Sequence, residues 1–218
     1  MAAYLFTMLR HAVPALCTAL TLLPQAAAAH PHIFVQTGLR VEVSESGQIT
    51  AIEVSWRYDE LYSLLMFEDL KLDSDYDGRL RPDELTFLHG FDMNWDAGFE
   101  GDLYVTHEGQ PVALGPPEPL ETTVDNGQIT TRHRRTLQVP ASGTLIEAYD
   151  PTFYTAYELV GDVSISGTCQ TEVTPADLNT AYAKLEEMLY GMSQQEADEA
   201  FPEVGSEFAD KVRITCRD

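Results

Sequence analysis

Positive charge is scarce in this 218-residue chain, which has 13 lysines and arginines against 35 aspartates and glutamates. The formal net charge is −22 at pH 7. A chain with this much negative charge is repelled by nucleic-acid phosphates and by anionic membrane surfaces. We therefore expect neither as a partner. The acidity suits a protein that attracts cations, and adaptation to high salt would produce the same bulk charge.

Long apolar runs are also rare. The run Ala12–Leu23 is too short for a transmembrane helix of about 20 residues. It follows Arg10 and precedes the small residues Ala27–Ala29, which is the pattern of a secretory signal. We therefore expect residues 1–29 to be a signal peptide and the mature chain to begin at His30. The mature protein would then be periplasmic or secreted, without a transmembrane segment.

Cysteine is nearly absent, with three in the chain. Cys17 falls inside the predicted signal, which leaves Cys169 and Cys216 in the mature protein. An even pair in an exported protein indicates a disulfide, and two separate thiols are the alternative. The bridge would tie the C-terminal segment back to the rest of the chain.

Motifs of common enzyme classes are missing. The sequence has no nucleophile elbow, no phosphate-binding loop and no HExxH zinc motif. Aspartates and glutamates are so numerous that no pair of them identifies a catalytic dyad. We therefore expect a non-catalytic protein.

The strongest chemical signal is the segment Asp73–Glu84, which has the pattern of a calcium loop. Ca²⁺ prefers a flexible cage of about six to eight oxygens, and the glycine at the sixth position allows the sharp turn that such a cage needs. The predicted ligands are Asp73, Asp75, Asp77, the backbone carbonyl of Arg79, and Glu84. Arg81 at the ninth position cannot ligate, so a water would serve there. The alternative is an acidic surface turn that binds no ion.

Helical patterns flank this loop, and we predict that residues 59–90 form an inserted helix–loop–helix. The apolar positions that repeat with helical spacing before the loop are Leu61, Leu64, Leu65 and Met66. Pro82 suits the first turn of a second helix after the loop. A second loop of this kind is not evident in the sequence. We therefore expect a structural Ca²⁺ site with a dissociation constant on the order of 10⁻⁴ to 10⁻³ M.

Alternating apolar and polar residues dominate the rest of the chain and predict antiparallel strands. The clearest hairpins surround the turns Ser46–Gly47 and Asp125–Gly127. Further strands are predicted at residues 102–107, 144–149 and 157–166. The pattern becomes helical over Thr174–Gly191. The predicted fold is α+β: mainly an antiparallel β-sheet or sandwich with an inserted helix–EF-hand-like loop–helix and a late amphipathic helix.

Several motifs occur together in one order: His30–Val35, Trp56–Glu60, the acidic loop, Tyr149–Tyr154 and Gly167–Cys169. They resemble the DUF1007 family of exported bacterial proteins over nearly all of the mature chain. The resemblance implies one β-rich domain over residues 30–218. It also implies a periplasmic component of an uncharacterised ABC-type transport system, often linked to nickel, cobalt or zinc. The helix and disulfide-tied tail of residues 174–218 depart from the usual pattern of the family. The resemblance therefore does not establish that this chain keeps the family's partner-binding surface.

Signal cleavage before His30 would create a candidate transition-metal site. The free amine and the ring of one N-terminal histidine can chelate Cu²⁺, Ni²⁺ or Zn²⁺, and His32 can supply a second imidazole. Pro31 lacks a backbone N–H and so prevents coordination by successive deprotonated amides. The alternative is a frayed terminus that precedes the first strand. The family resemblance, rather than the spacing, favours the metal site.

The other histidines are interpreted as ordinary residues, with His107 and His133 on strands and His89 on the surface. The cluster Arg132–Arg135 is basic, and alternate members of a strand point to opposite faces. We expect it to pair with the acidic surface.

Our leading hypothesis is a non-catalytic periplasmic metal-binding accessory protein of a transition-metal transport system, with a structural Ca²⁺ site and a membrane metal transporter as partner. The alternative is a Ca²⁺-stabilised protein-interaction module. A third hypothesis is a copper-dependent oxidoreductase, because copper oxygenases also use an N-terminal histidine. It requires a third nitrogen ligand that the sequence does not place.

Overall fold

Two β-sheets carry most of the chain in the computed structural model, which describes residues 31–161, 163–199 and 201–217. The described strands are β1 (Ile33–Val43), β2 (Gln48–Tyr58), β3 (Leu103–His107), β4 (Gln110–Pro111), β5 (Glu118–Asp125), β6 (Gln128–Pro140), β7 (Thr144–Ala148), β8 (Thr155–Leu159), β9 (Ser164–Ile165), β10 (Cys169–Thr174) and β11 (Lys211–Cys216). The described helices are α1 (Glu60–Leu70), α2 (Pro82–Leu88), α3 (Leu178–Tyr190) and α4 (Gln194–Glu199), with a 3-10 helix at Gly205–Phe208. The predicted α+β fold is therefore confirmed.

The first sheet has the strand order β5-β6-β2-β1-β8, and the short strand β9 also pairs with β1. The β1–β2 and β5–β6 hairpins are antiparallel, as the predicted turns require. Strands β8 and β9 run parallel to β1. The single strand predicted over residues 157–166 is therefore wrong, because the chain is interrupted between β8 and β9. Gly161 in this interruption has φ 72°, a left-handed conformation that ends an extended run.

The second sheet is antiparallel, with the order β10-β11-β7-β3-β4. Strand β10 is absent from the sequence prediction, since it is an edge strand with mostly exposed side chains and lacks a clear apolar alternation. The predicted helix start at Thr174 is wrong for this reason, because Thr174 ends β10. Helix α3 begins instead at Leu178, where the Asp177 side chain accepts a hydrogen bond of 3.3 Å from the Thr180 backbone N–H.

Side chains from both sheets form one core between them. Along β6, alternate residues from Ile129 to Val139 point inward. The neighbouring strand β2 adds a second row of inward-pointing side chains. The fully shielded aliphatic residues include Val41, Ile49, Ile52, Ile129, Ile146 and Ile214. Burying each such side chain contributes about 1.5 to 3 kcal/mol. The sheets therefore pack face to face as a sandwich.

Helices α1 and α2 form the predicted insertion after β2, but α1 buries a different face from the one expected. Its buried residues are Ser63 and Phe67. Three leucines that we predicted to face the core are at least half exposed: Leu61, Leu64 and Leu65. The reason is a long-range contact, since Ser63 Oγ accepts a hydrogen bond of 3.0 Å from the backbone N–H of Ile129 on β6. Leaving that buried N–H unpaired would cost about 1 to 3 kcal/mol.

Helix α3 packs at the far end of the chain around a smaller apolar cluster. This cluster joins Ala181 and Leu185 of α3 to Phe153, Val204 and Phe208. Gly191 ends α3 as predicted, and the short helix α4 follows it. No helix in the described ranges combines the length and the apolar character needed to cross a membrane.

Cys169 and Cys216 form a disulfide, as predicted. They lie directly opposite each other in the β10–β11 pair and are separated by 47 positions in sequence. The bridge therefore closes a covalent loop that contains α3 and α4. It fastens the last described strand to the edge of the second sheet.

Replacing both cysteines by serine should lower the free energy of unfolding by on the order of 3 to 4 kcal/mol, because the unfolded chain regains the entropy of a long open loop. Urea unfolding under non-reducing conditions measures this change. Wild-type protein in reductant is the matched control and should unfold at the same urea concentration as the double variant. Equal stability of the oxidised wild type and the double variant would contradict the prediction.

Candidate metal-binding loop and its surroundings

Helix α1 positions the acidic loop by attaching to the first sheet. Asp59 caps the helix, since its Oδ1 accepts a hydrogen bond of 2.8 Å from the Tyr62 N–H. Its Oδ2 accepts another of 2.8 Å from the Phe34 N–H on β1. Lys71 caps the C-terminus of α1, and its left-handed φ of 57° turns the chain into the loop.

Three aspartates of the loop face one another. Each of Asp73, Asp75 and Asp77 offers a carboxylate oxygen, and these oxygens lie within 4.8 Å of one another. Asp73 is buried, and its two oxygens accept hydrogen bonds of 3.1 Å each from the backbone N–H groups of Asp77 and Gly78. Asp75 and Asp77 are exposed. Across the described ranges, no other set of three or more histidine, cysteine or acidic side chains is grouped in this way.

Left-handed residues shape the turn of the loop. Gly78, at the sixth position, has φ 74°, which favours glycine. Tyr76 has φ 56°, which is unusual for a residue with a large side chain. Tyr76 is 74 % exposed. Leu80 is partly buried against the core. The loop therefore holds its aspartates together while Tyr76 projects outward.

Glu84 lies in the first turn of α2, where Arg81 holds it. Its Oε2 accepts a hydrogen bond of 2.9 Å from the Arg81 N–H, and its Oε1 lies 2.7 Å from an Arg81 guanidinium nitrogen. Glu84 is buried and does not belong to the three-aspartate group. Sequence reasoning treated Arg81 as a non-ligand and missed this pairing. The spacing of three residues at a helix start was the available signal.

The predicted roles of Glu84 and Arg79 remain predictions. Both carboxylate oxygens of Glu84 already contact Arg81, so an ion that Glu84 ligated would compete with those contacts. The backbone N–H of Arg79 donates a hydrogen bond of 2.8 Å to Asp77 Oδ1, which places Arg79 against the aspartate group. Its carbonyl is the part that would ligate.

The donor set fits a hard cation. Ca²⁺ binds oxygens at about 2.3 to 2.6 Å, so two oxygens on one ion are at most about 5 Å apart. The 4.8 Å limit on the aspartate oxygens satisfies this condition. Among the described residues, the ion pairs involve none of these three aspartates. Their mutual repulsion is therefore not offset by a side-chain cation, which favours binding of a metal ion.

The two terminal histidines differ in what the structure describes. His30 and the predicted signal, residues 1–29, lie outside the described residues. His32 is exposed just before β1, and its backbone N–H donates a hydrogen bond of 2.8 Å to the Tyr154 carbonyl. Its ring centroid lies 4.7 Å from that of Tyr154. This places His32 beside the turn that follows Asp150.

The basic cluster on β6 divides between the two faces of the sheet, as its alternation predicts. Arg132 and Arg134 point outward, where Arg132 lies 2.9 Å from Glu53 and Arg134 lies 2.9 Å from Glu42. Arg135 points inward and donates a hydrogen bond of 2.8 Å to the Glu100 carbonyl. These contacts confirm that the outward arginines pair with acidic residues. The burial of Arg135 is not evident from the sequence.

His133 is fully buried between aromatic rings, contrary to its interpretation as an ordinary half-buried or surface residue. Its ring centroid lies 4.6 Å from that of Trp56 and 5.8 Å from that of Trp95. Neither ring nitrogen has a hydrogen-bond partner within the described part of the chain. Burial, with a smaller contribution from the charge of Arg135, lowers the pKa of His133 from 6.5 to about 4. The imidazole is therefore neutral at pH 7.

Two carboxylates at the core, of the buried Asp102 and the half-buried Asp92, also escaped sequence reasoning. Asp102 accepts a hydrogen bond of 2.8 Å from the Tyr157 hydroxyl, and Asp92 accepts one of 2.7 Å from the Tyr58 hydroxyl. Burial raises the pKa of Asp102 to about 7 and also raises the pKa of Asp92. Their tyrosine partners come from strands distant in sequence, so no local pattern identifies them.

These observations define a two-sheet β protein with an inserted acidic helix–loop–helix. The family model described as "Protein of unknown function (DUF1007)" matches residues 15–216, so the chain belongs to the DUF1007 family. No curated protein matches the chain. Among solved structures, acetylcholine-binding protein type 1 of Biomphalaria glabrata is similar over 86 % of this chain and 87 % of that chain, with 9 % identity and a TM-score of 0.32. That similarity is too low to support an argument about fold or function.

Replacing His133 by phenylalanine should make the protein less sensitive to acid. The folded-state pKa of His133 is depressed, so the unfolded chain takes up a proton first as the pH falls from 6.5 to about 4. Wild-type stability is lost over this interval, by about 3 kcal/mol for a shift of this size. The stability difference between the variant and the wild type should therefore grow by about 3 kcal/mol in favour of the variant from pH 7 to pH 4.

Urea unfolding of both proteins at each pH measures this difference. Asp102 acts in the opposite direction, because its raised pKa makes stability fall as the pH rises from 3.8 to about 7. Its contribution is common to both proteins and cancels in the comparison. A difference that stays constant over the pH range would show that His133 is not buried as a neutral ring.

Proposed function

We propose that this protein is an exported, non-catalytic accessory protein that binds Ca²⁺ through the loop Asp73–Glu84. One observation carries the proposal: three carboxylates converge within 4.8 Å, and no ion pair between described residues includes them. A bound Ca²⁺ would offset their repulsion and use oxygen donors of the kind it prefers. The disulfide supports an oxidising compartment outside the cytoplasm.

Each residue has a distinct part in this proposal. Asp73 is the fixed ligand, since two backbone N–H groups already orient its carboxylate. Asp75 and Asp77 are exposed and supply charge from the solvent side. Glu84 joins them when the ion displaces Arg81. Because breaking the Arg81 pair opposes binding, we expect weak affinity, on the order of 10⁻⁴ to 10⁻³ M, as in extracellular modules.

Ca²⁺ should raise the melting temperature of the mature protein. At an ion concentration about 100 times the dissociation constant, binding stabilises the folded state by about 2.7 kcal/mol. Mg²⁺ should be much less effective because it requires tighter octahedral geometry. Glu84→Gln should remove most of the Ca²⁺-induced shift, and differential scanning fluorimetry measures it.

Glu68→Gln is the matched control, because it removes one negative charge from exposed surface of α1, outside the loop. The control should retain the wild-type shift. Only the shift between chelator and Ca²⁺ is compared, since Glu84→Gln also loses its ion pair with Arg81 and changes the baseline. Identical melting curves for wild type in Ca²⁺ and in chelator would refute the calcium site.

Transition-metal binding at the N-terminus is the second candidate function. The observation that favours it is the position of His32, whose exposed ring lies against Tyr154 at the start of β1. This position would hold the imidazole near an amine on His30 if the signal is removed as expected. The family resemblance links such proteins to nickel, cobalt or zinc transport. In this proposal the protein passes such an ion to, or senses it for, a membrane transporter.

A protein beginning at His30 should bind Cu²⁺, Ni²⁺ or Zn²⁺ more tightly than the loop binds Ca²⁺. Affinity should fall as the pH drops through about 7 to 6, because the amine and imidazoles must lose protons to bind. His32→Ala should weaken binding, and one extra residue before His30 is the matched control that separates amine from ring. Calorimetric titration measures each affinity. If all three proteins bind alike, the terminal site does not exist.

A further inference from the structure

A surface groove lies where α1, the acidic loop and the β5–β6 turn meet. Its volume is about 260 Å³. Its lining includes Glu60, Leu64, Phe67, Asp73, Tyr76 and Asn126. Asp73 therefore belongs both to the groove and to the three-aspartate group. The groove and the candidate ion site share one wall.

Three of the side chains that line this groove are apolar or aromatic. Phe67 is buried at 3 % exposure, whereas Leu64 and Tyr76 are 50 % and 74 % exposed. Leu61 and Leu65 extend the exposed apolar surface along α1, since residues three or four apart are neighbours on a helix. Exposed apolar surface next to a groove marks an interaction site more often than scattered single residues do. Tyr76, whose backbone is left-handed, lines the groove with a mostly exposed side chain.

Acidic side chains also lie in and around this groove. Glu60 and Asp73 line it, and Asp75, Asp77 and Glu68 are nearby on the same two elements. In the described ranges, no ion pair includes any of these residues. A second copy of the chain would bring the same negative charges together, and an anionic membrane would be repelled. The complementary occupant is a cationic one.

We propose that this groove docks a short segment of a partner protein, in which a large apolar side chain is flanked by lysine or arginine. The apolar side chain packs on Phe67 between Leu64 and Tyr76, and the cations face Glu60 and Glu68. Ca²⁺ strengthens docking because it fixes the loop that carries Asp73 and Tyr76. One ion leaves the carboxylates of α1 unneutralised. This calcium dependence rests on the function proposed above.

Selection from a random-peptide display library on the mature protein in millimolar Ca²⁺ tests the proposal. We expect enrichment of peptides with one leucine or aromatic residue between basic residues. A selected peptide, labelled and followed by fluorescence anisotropy, should bind Leu64→Glu and Tyr76→Ser about tenfold more weakly than wild type, as for central anchor contacts. The affinity of the peptide for wild type should also fall about tenfold in chelator. Without Ca²⁺ the loop is no longer held in place, and a few anchor contacts to it are lost.

The matched controls are Leu178→Glu and Tyr190→Ser, which change exposed residues of the same types on α3. Both should bind the peptide like wild type. Equal loss in controls and groove variants, selection of acidic peptides, or no enrichment at all would overturn the docking site. Self-association that Leu64→Glu abolishes would assign the groove to a second copy and would also overturn it. Peptide binding unchanged by chelator, in a protein whose melting temperature still responds to Ca²⁺, overturns the coupling alone. Absence of the melting response instead refutes the proposed calcium function.

Discussion

Two side-chain hydrogen bonds to strand backbone fix the helix–loop–helix on the first sheet. Asp59 Oδ2 accepts from the Phe34 N–H on β1, and Ser63 Oγ accepts from the Ile129 N–H on β6. Ser63 satisfies a backbone N–H that would otherwise be costly to bury, whereas the Asp59 contact lies in an exposed part of β1. Together they set the rotation of α1, which turns Phe67 toward the core and the leucines toward solvent. The acidic loop, the groove and the exposed apolar surface all take their positions from this attachment.

The parts of the fold that depend on neighbouring residues could be predicted from the sequence. Asn126 and Gly127 have φ values of 50° and 76°, as a tight hairpin turn requires, and the residue types alone indicate that turn. The acidic loop is equally local, because its aspartates converge through a short turn centred on Gly78. Pro82 begins α2 for a similar reason, since proline lacks the N–H that a first turn leaves unpaired.

The parts that depend on distant residues could not be predicted. The rotation of α1 follows from Ser63 meeting Ile129, which lies 66 positions later in the chain. Helical spacing predicted that the leucines of α1 would be buried, because spacing reflects only local periodicity. Inside the sandwich, His133 packs against Trp56 and Trp95, and Arg135 lies over Trp95. Local patterning does not reveal this because β6 carries polar residues on both faces. The ion pair between Glu84 and the Arg81 side chain is different, because the spacing of three residues at the start of α2 was a local signal for it.

Terbium luminescence tests the central claim most directly, because Tb³⁺ is a hard oxygen-binding cation that takes Ca²⁺ sites and is excited through nearby tyrosine such as Tyr76. Asp75→Asn is the informative variant, since the Asp75 side chain makes no hydrogen bond to another described residue, and its loss leaves the loop's own bonds in place. The account predicts one saturable emission signal that Ca²⁺ displaces, that Asp75→Asn greatly weakens, and that the exposed control Asp69→Asn retains. Emission that is absent, or equal in both variants, would contradict it.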